Sequence, residues 1–184
     1  MALPIVAVVG RPNVGKSTFV NRITQAEGAI VHASRGVTRD RSYHTGDWNG
    51  ISFTLIDTGG IEVAKDDQFQ ASIRAQAEVA TREADAIVFL VDGKTGLAAD
   101  DEEVARILRR SQKPVFLVVN KVDHPGSQAE TYEFYKLGFT EVWPVSATHG
   151  HGTGDLLDEL VKVLPQGQPE EYIEGEIAVA IIGR

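Results

Sequence analysis

Apolar and polar positions along this chain switch repeatedly between two periods. Ile5-Val6-Ala7-Val8-Val9 is a β-branched run that predicts a strand, closed by a glycine-rich turn and followed by a helical pattern over residues 16–24. Residues 51–56 alternate apolar with polar, as a half-buried strand does. Residues 68–83 put Phe69, Ile73, Ala77 and Ala80 on one helical face. Residues 86–91 and 115–119 are continuous apolar runs, the pattern of strands covered on both sides. Between them, residues 101–110 read as a helix with Val104, Ile107 and Leu108 facing inward, and helices over 130–137 and 156–164 flank a short strand at 142–145. Strands alternating with helices predict an α/β fold, a mostly parallel doubly wound sheet with helices on both faces. Residues 29–47 are polar, rich in Arg and His, and without a regular period, which predicts a long loop of the kind usually tied to function.

The tail changes the picture of domain organisation. Residues 165–176 carry two Pro, two Gly and four Glu, a linker composition. Beyond it, Ile177-Ala178-Val179-Ala180-Ile181-Ile182-Gly183-Arg184 aligns with Pro4-Ile5-Val6-Ala7-Val8-Val9-Gly10-Arg11, with Val, Ala, Gly and Arg coinciding. The expected division is therefore a first domain over 1–165, a linker over 166–176, and over 177–184 the first strand and turn of a second copy.

Composition narrows the function classes. With 42% hydrophobic residues in a chain of 184, a full core is available without staples. Acidic residues outnumber basic ones 26 to 18, a net charge of −8, which argues against a domain built to neutralise phosphate backbones and against DNA as a partner. The absence of cysteine removes disulfides, thiolate nucleophiles, zinc fingers and iron–sulfur clusters together. Met1-Ala2-Leu3-Pro4 opens without a basic n-region, and every apolar run is too short to span a bilayer, so no membrane is expected and the cytoplasm is the expected compartment.

The chemistry begins at Gly10-Arg11-Pro12-Asn13-Val14-Gly15-Lys16-Ser17, which matches G-x-x-x-x-G-K-[ST] between a predicted strand and helix. Glycines let backbone N–H groups wrap an anion, and the helix start adds a positive dipole end. Lys16 supplies a point charge for the β- and γ-phosphates, and the Ser17 hydroxyl a magnesium ligand. Asp57-Thr58-Gly59-Gly60 follows a strand, where open α/β sheets bind ligands. Asp57 can hold magnesium through water, and Gly60 can offer its N–H to the γ-phosphate. Asn120-Lys121-Val122-Asp123 sits at another strand end, and a carboxylate at Asp123 can accept from both the ring N–H and the exocyclic amine of guanine, a donor pair that adenine lacks. Ser146-Ala147-Thr148 supplies a loop whose backbone can meet the guanine carbonyl. GTP is the nucleotide this set selects.

In that order the motifs resemble the translation-factor class of GTPases, and the likeness covers almost the whole chain. The loop at residues 10–17 with Thr18, Gly36-Val37-Thr38-Arg39-Asp40, Asp57-Thr58-Gly59-Gly60-Ile61 and the incipient second copy resemble more closely the Der (EngA) family, of the TrmE-Era-EngA class. The resemblance implies tandem GTPase domains followed by a KH-like domain, slow hydrolysis of GTP to GDP and phosphate with Mg2+, and a role in late assembly of the large ribosomal subunit. It implies that Thr38 reaches magnesium and the γ-phosphate, that residues 29–47 and 59–67 are the two switches, and that Lys16, Thr38 and Gly60 serve catalysis. Ras-like proteins carry a glutamine where this chain has Ile61, which cannot orient water. In potassium-activated relatives an asparagine at the place of Asn13 coordinates K+, which takes the role of an arginine finger. One departure is Arg35, where Der proteins commonly have proline. Two other readings stay open: a GTP/GDP-sensing interaction module with little turnover, and an Era-like or tRNA-modification GTPase.

Several features read more simply. His149 and His151 belong to a polar loop, and Asp100-Asp101-Glu102-Glu103 to a helix start stabilised by capping and dipole. Arg35, Arg39 and Arg41 make the first switch locally basic. Arg106, Arg109 and Arg110 are the solvated side of a helix, and Trp48 and Trp143 are packing residues.

Overall fold

The structure, a computed structural model, describes residues 3–25, 41–60 and 69–166. Its elements run β1 (Ile5–Val9), α1 (Lys16–Gln25), β2 (Ser42–Trp48), β3 (Ile51–Asp57), a single 3-10 turn (Thr58–Gly60), α2 (Phe69–Glu83), β4 (Ala86–Asp92), α3 (Ala99–Arg110), β5 (Val115–Asn120), a longer 3-10 helix (Pro125–Leu137), β6 (Val142–Pro144) and α4 (Thr153–Val163). The six strands lie in the order β2-β3-β1-β4-β5-β6. All neighbours pair in parallel except β2 with β3.

The alternation of β1 splits the core in two. Val6 and Val8 face α1 and α4, where Phe19, Val20, Ile23, Leu156, Leu157 and Leu160 cover the sheet. Ala7 and Val9 face Ile73, Ala77 and Ala80 of α2, Val104 and Leu108 of α3, and Phe134 and Leu137 of the longer 3-10 helix. Every residue of β4 is buried, as its unbroken apolar run requires. Phe19, Phe53, Phe89 and Phe134 are fully enclosed, each worth roughly 2–3 kcal/mol of transfer free energy.

Two expectations are corrected. The segment 42–47, expected as the end of a loop, is most of β2, an antiparallel edge strand turning into β3 through Asn49 (φ 52°) and Gly50 (φ 75°). Positive φ at both positions is the two-residue hairpin that follows the twist of its strands. The helix expected over 130–137 starts earlier, at Pro125, and winds as 3-10, closing on Gly138 in the left-handed region (φ 84°). The remaining predicted elements form within a few residues of their expected bounds. Thr38, Ile61, Arg35, Arg39 and the expected linker and second copy after residue 166 lie outside the described residues.

Trp48 and Trp143 pack against the first core cluster as expected. The Trp48 indole N–H also donates to Asp158 on α4 at 2.8 Å. No helix among the described residues is long and apolar enough to cross a membrane.

Candidate functional site

The parallel strands deliver their polar termini to one edge of the sheet. β1 runs into residues 10–15, β3 ends on Asp57, and Asp92 closing β4 pairs with Asn120 closing β5. The loop between β1 and α1 is held open by close approaches. A Cβ on Gly10 would sit 2.3 Å from the Leu90 carbonyl oxygen, and one on Gly15 (φ 97°) 2.4 Å from Asn120 Nδ2, so neither position takes a side chain. Asn13 is exposed with φ 64°. Lys16 is buried, and its Nζ donates to the carbonyls of Gly10 and Arg11, both at 2.7 Å. Burial pushes its pKa down to about 8, with the Asp57 carboxylate opposing and the Arg11 guanidinium reinforcing that fall.

Ser17, in the first turn of α1, donates its hydroxyl to Asp57 Oδ2 at 3.0 Å, although forty positions separate them. Asp57 Oδ1 accepts the Gly59 N–H at 2.8 Å. The Thr58 hydroxyl turns inward and donates to the Val8 carbonyl at 2.7 Å, fixing the 3-10 turn against β1. Two oxygen donors converging beside a buried ammonium suit a small hard cation bridging phosphates. Pro12 and Thr18 are exposed on the rim of the same loop.

At the other end, Asn120 joins two loops with one side chain. Its Nδ2 donates to the Val14 carbonyl at 2.9 Å and its Oδ1 accepts the Ala147 N–H at 3.0 Å. Lys121 (φ 68°) donates to the Asn13 carbonyl at 2.6 Å and to Asp92 Oδ2 at 2.5 Å. Asp123 Oδ1 accepts from the Ser146 hydroxyl at 2.8 Å and Oδ2 from Lys94 at 2.6 Å. These two donors, Lys94 first, hold the Asp123 carboxyl below the ordinary range and hence ionised. The Thr148 carbonyl accepts from Arg22 of α1.

Every predicted site residue that is described therefore gathers at this edge, from the loop 10–18 through residues 57–60 to 120–123 and 146–148. Four residues without a predicted role join them. Asp92 takes Lys121; Asp101 takes Arg11 at 2.8 Å; Arg22 donates to the Ala147 carbonyl at 2.8 Å; Lys94 pairs with Asp123. Asp92 carried a signal in the sequence, a carboxylate followed by glycine at a strand end, whereas the Arg22 contact joins positions 125 residues apart. The His149 and His151 rings lie 5.9 Å apart, tilted by 30°.

A G-x-x-x-x-G-K-S loop between β1 and α1, with the ionised Asp123 carboxylate two strands away, is the arrangement of a P-loop GTPase domain. Residues 5–121 match the family described as 50S ribosome-binding GTPase, and the chain belongs to that family. Over its whole length it is 55% identical to GTPase Der of Moorella thermoacetica, of which it spans 42%. Among solved structures it is similar to an Aquifex aeolicus Era variant bound to GDP and aluminium fluoride (30% identity, TM-score 0.70, 98% of this chain and 63% of that one). It is also similar to Era in complex with MgGDPNP and a segment of 16S ribosomal RNA (32% identity, TM-score 0.71, 92% of this chain and 59% of that one).

Proposed function

We propose that this chain is the first of two GTPase domains in a Der-like protein, and that it binds GTP, hydrolyses it slowly and thereby switches a partner in late assembly of the large ribosomal subunit. The carrying observation is the Asn120 side chain, which ties the phosphate loop at Val14 to the base loop at Ala147 while Asp123 stays ionised beside it. Full-length identity to a GTPase Der at 55%, against 30–32% for Era, favours Der over the Era-like alternative. Spanning 42% of that relative leaves length for further domains in cis, a second GTPase and a KH-like domain. The proposed domain is 1–165, the linker 166–176 and the second copy from 177, in a cytoplasmic protein.

Residues 10–18 wrap the phosphates, Lys16 neutralises the β- and γ-oxygens, and Asp57 to Ile61 flank the γ-phosphate. Asp123 accepts from guanine while Asn120, Lys121 and residues 146–148 frame the base. Ser17, Asp57 and Thr38 would hold Mg2+, which would neutralise charge developing on the phosphates. The Gly60 N–H would orient the γ-phosphate, and Asn13 would hold K+. Ile61, which cannot hydrogen-bond water, is why hydrolysis is slow without the cation. The test is turnover and binding by the purified chain. Fluorescent GDP should bind and fluorescent ADP should not, and GTP turnover in potassium chloride should exceed that in sodium chloride at least tenfold, a floor below the roughly thousandfold or more that an arginine finger supplies. Equal rates in the two salts refute the potassium role, and binding without turnover in either supports the sensing module instead.

A further inference from the structure

The first turn of α3 contains a carboxylate that capping alone does not account for. Asp101 is completely buried. Its Oδ2 accepts the Ala98 N–H at 3.0 Å, which is the service a helix start requires and which a serine or asparagine could supply equally. Its Oδ1 does something else, accepting Arg11 Nε at 2.8 Å across ninety positions of sequence. The same guanidinium reaches Thr95 Oγ1 at 3.4 Å and the Gly96 carbonyl at 3.5 Å. Arg11 is a member of the phosphate loop, and its own carbonyl accepts Lys16 Nζ at 2.7 Å. A continuous path of hydrogen bonds therefore runs from the α3 turn through the Arg11 side chain and backbone to the ammonium group that would meet the phosphates. A buried carboxylate is costly unless its partner stays in place, so this pair penalises any loop conformation in which Arg11 swings away.

We propose that Asp101, acting through Arg11, is a positioning residue that sets the conformation of the phosphate loop for nucleotide binding, an inference that rests on reading residues 10–17 as a GTP site. Neighbouring contacts agree with a brace at this place. Glu103, in the same turn, pairs with Arg74 of α2, and Asp92 at the start of the same β4–α3 connection fixes Lys121, which in turn holds the Asn13 carbonyl. The two elements that flank the connection thus reach the loop at two points, Asp101 at Arg11 directly and Asp92 at Asn13 through Lys121.

The decisive variant is Asp101→Asn, which keeps the shape and an oxygen for the Ala98 N–H but discards the charge that holds Arg11. Release of fluorescent GDP, followed by stopped flow, should quicken and affinity should weaken about ten- to hundredfold, the scale on which outer partners act on the groups they orient. Arg11→Gln should weaken it by a similar factor. The double variant Arg11→Gln/Asp101→Asn should be no weaker than the weaker single, because both changes cut one path. Affinity within about twofold of the unaltered chain for Asp101→Asn, with only the melting temperature lowered, assigns the residue to capping and overturns the proposal, as do additive losses in the double variant. Should Asp101→Asn fail to fold, Asp101→Ser decides, since a serine can also cap the Ala98 N–H and carries no charge to hold Arg11. Failure of the unaltered chain to bind fluorescent GDP would overturn the GTP reading along with this one, whereas binding by the unaltered chain with equal binding by the variants overturns this one alone.

Discussion

Replacing Asn120 by alanine would test how far the loops at Val14 and Ala147 depend on a single side chain. Asn120 is 3% exposed, and its two partners belong to Val14 and Ala147, residues that are 1% and 2% exposed. Truncation strands the Val14 carbonyl and the Ala147 N–H in surroundings where water enters poorly. A buried polar group left unpaired costs about 1–3 kcal/mol. Two of them, with some relief as the loops relax, make the expected loss about 3 kcal/mol. At about 2–4 °C per kcal/mol for a domain of this size, the melting temperature should fall by about 10 °C. Circular dichroism melts without nucleotide isolate this loss from any ligand effect. Asn120→Asp keeps an acceptor for the Ala147 N–H but sets a carboxylate against the Val14 carbonyl, so it should be at least as destabilising. A shift under about 2 °C for Asn120→Ala would refute the reasoning, because the stranded groups must then have found other partners at little cost.

Other outcomes follow from neighbouring contacts. Asp123→Asn exchanges one carboxylate oxygen for a donor, so GDP affinity should fall about a hundredfold while xanthine nucleotides, which carry a carbonyl where guanine has its amine, gain relative to it; competition binding measures both, and an unchanged preference for guanine removes Asp123 from base reading. Asp92 has its carboxyl held below the ordinary value of 3.8, since burial would raise it but the Lys121 ammonium and the Thr95 and Lys94 amides prevail. A lowered folded pKa gives stability that is present above about pH 4 and lost as pH falls through the folded value, so Asp92→Asn should flatten the acid limb of a melting-temperature profile. Lys94 meets Asp123 at an exposed site, and Lys94→Ala should leave the melting temperature essentially unchanged, as surface pairs usually do; a clear drop would show that the pair orders the segment around Asp123.

What could be read from the sequence and what could not divides along physical lines. β1, β4 and β5 were legible because strands covered on both faces must be apolar throughout, and the motif positions because polar and glycine-rich stretches follow directly on those apolar runs. β2 hid because Ser42 to Trp48 is a polar edge strand whose pairing owes nothing to an apolar period. Its one local sign was Asn49-Gly50, the two-residue hairpin signal. The 3-10 winding of Pro125–Leu137 hid for a different reason, since its buried positions Thr131, Phe134 and Leu137 are spaced by three, which over so short a run suits an α-helix as well. The residues that brace the site, Arg22, Asp92 and Asp101, belong to no motif. Their partners are far along the chain, and only the folded sheet brings them together.

The two margins of the sheet carry one more consequence. β6 is three residues long and ends on Pro144, which has no N–H to offer, while β2 at the opposite margin is polar. Both are poor templates for a further strand. Two sheets of this design joined by a short tether would meet at an effective concentration in the millimolar range. With such borders they would remain separate bodies, free to change their orientation without fusing edge to edge.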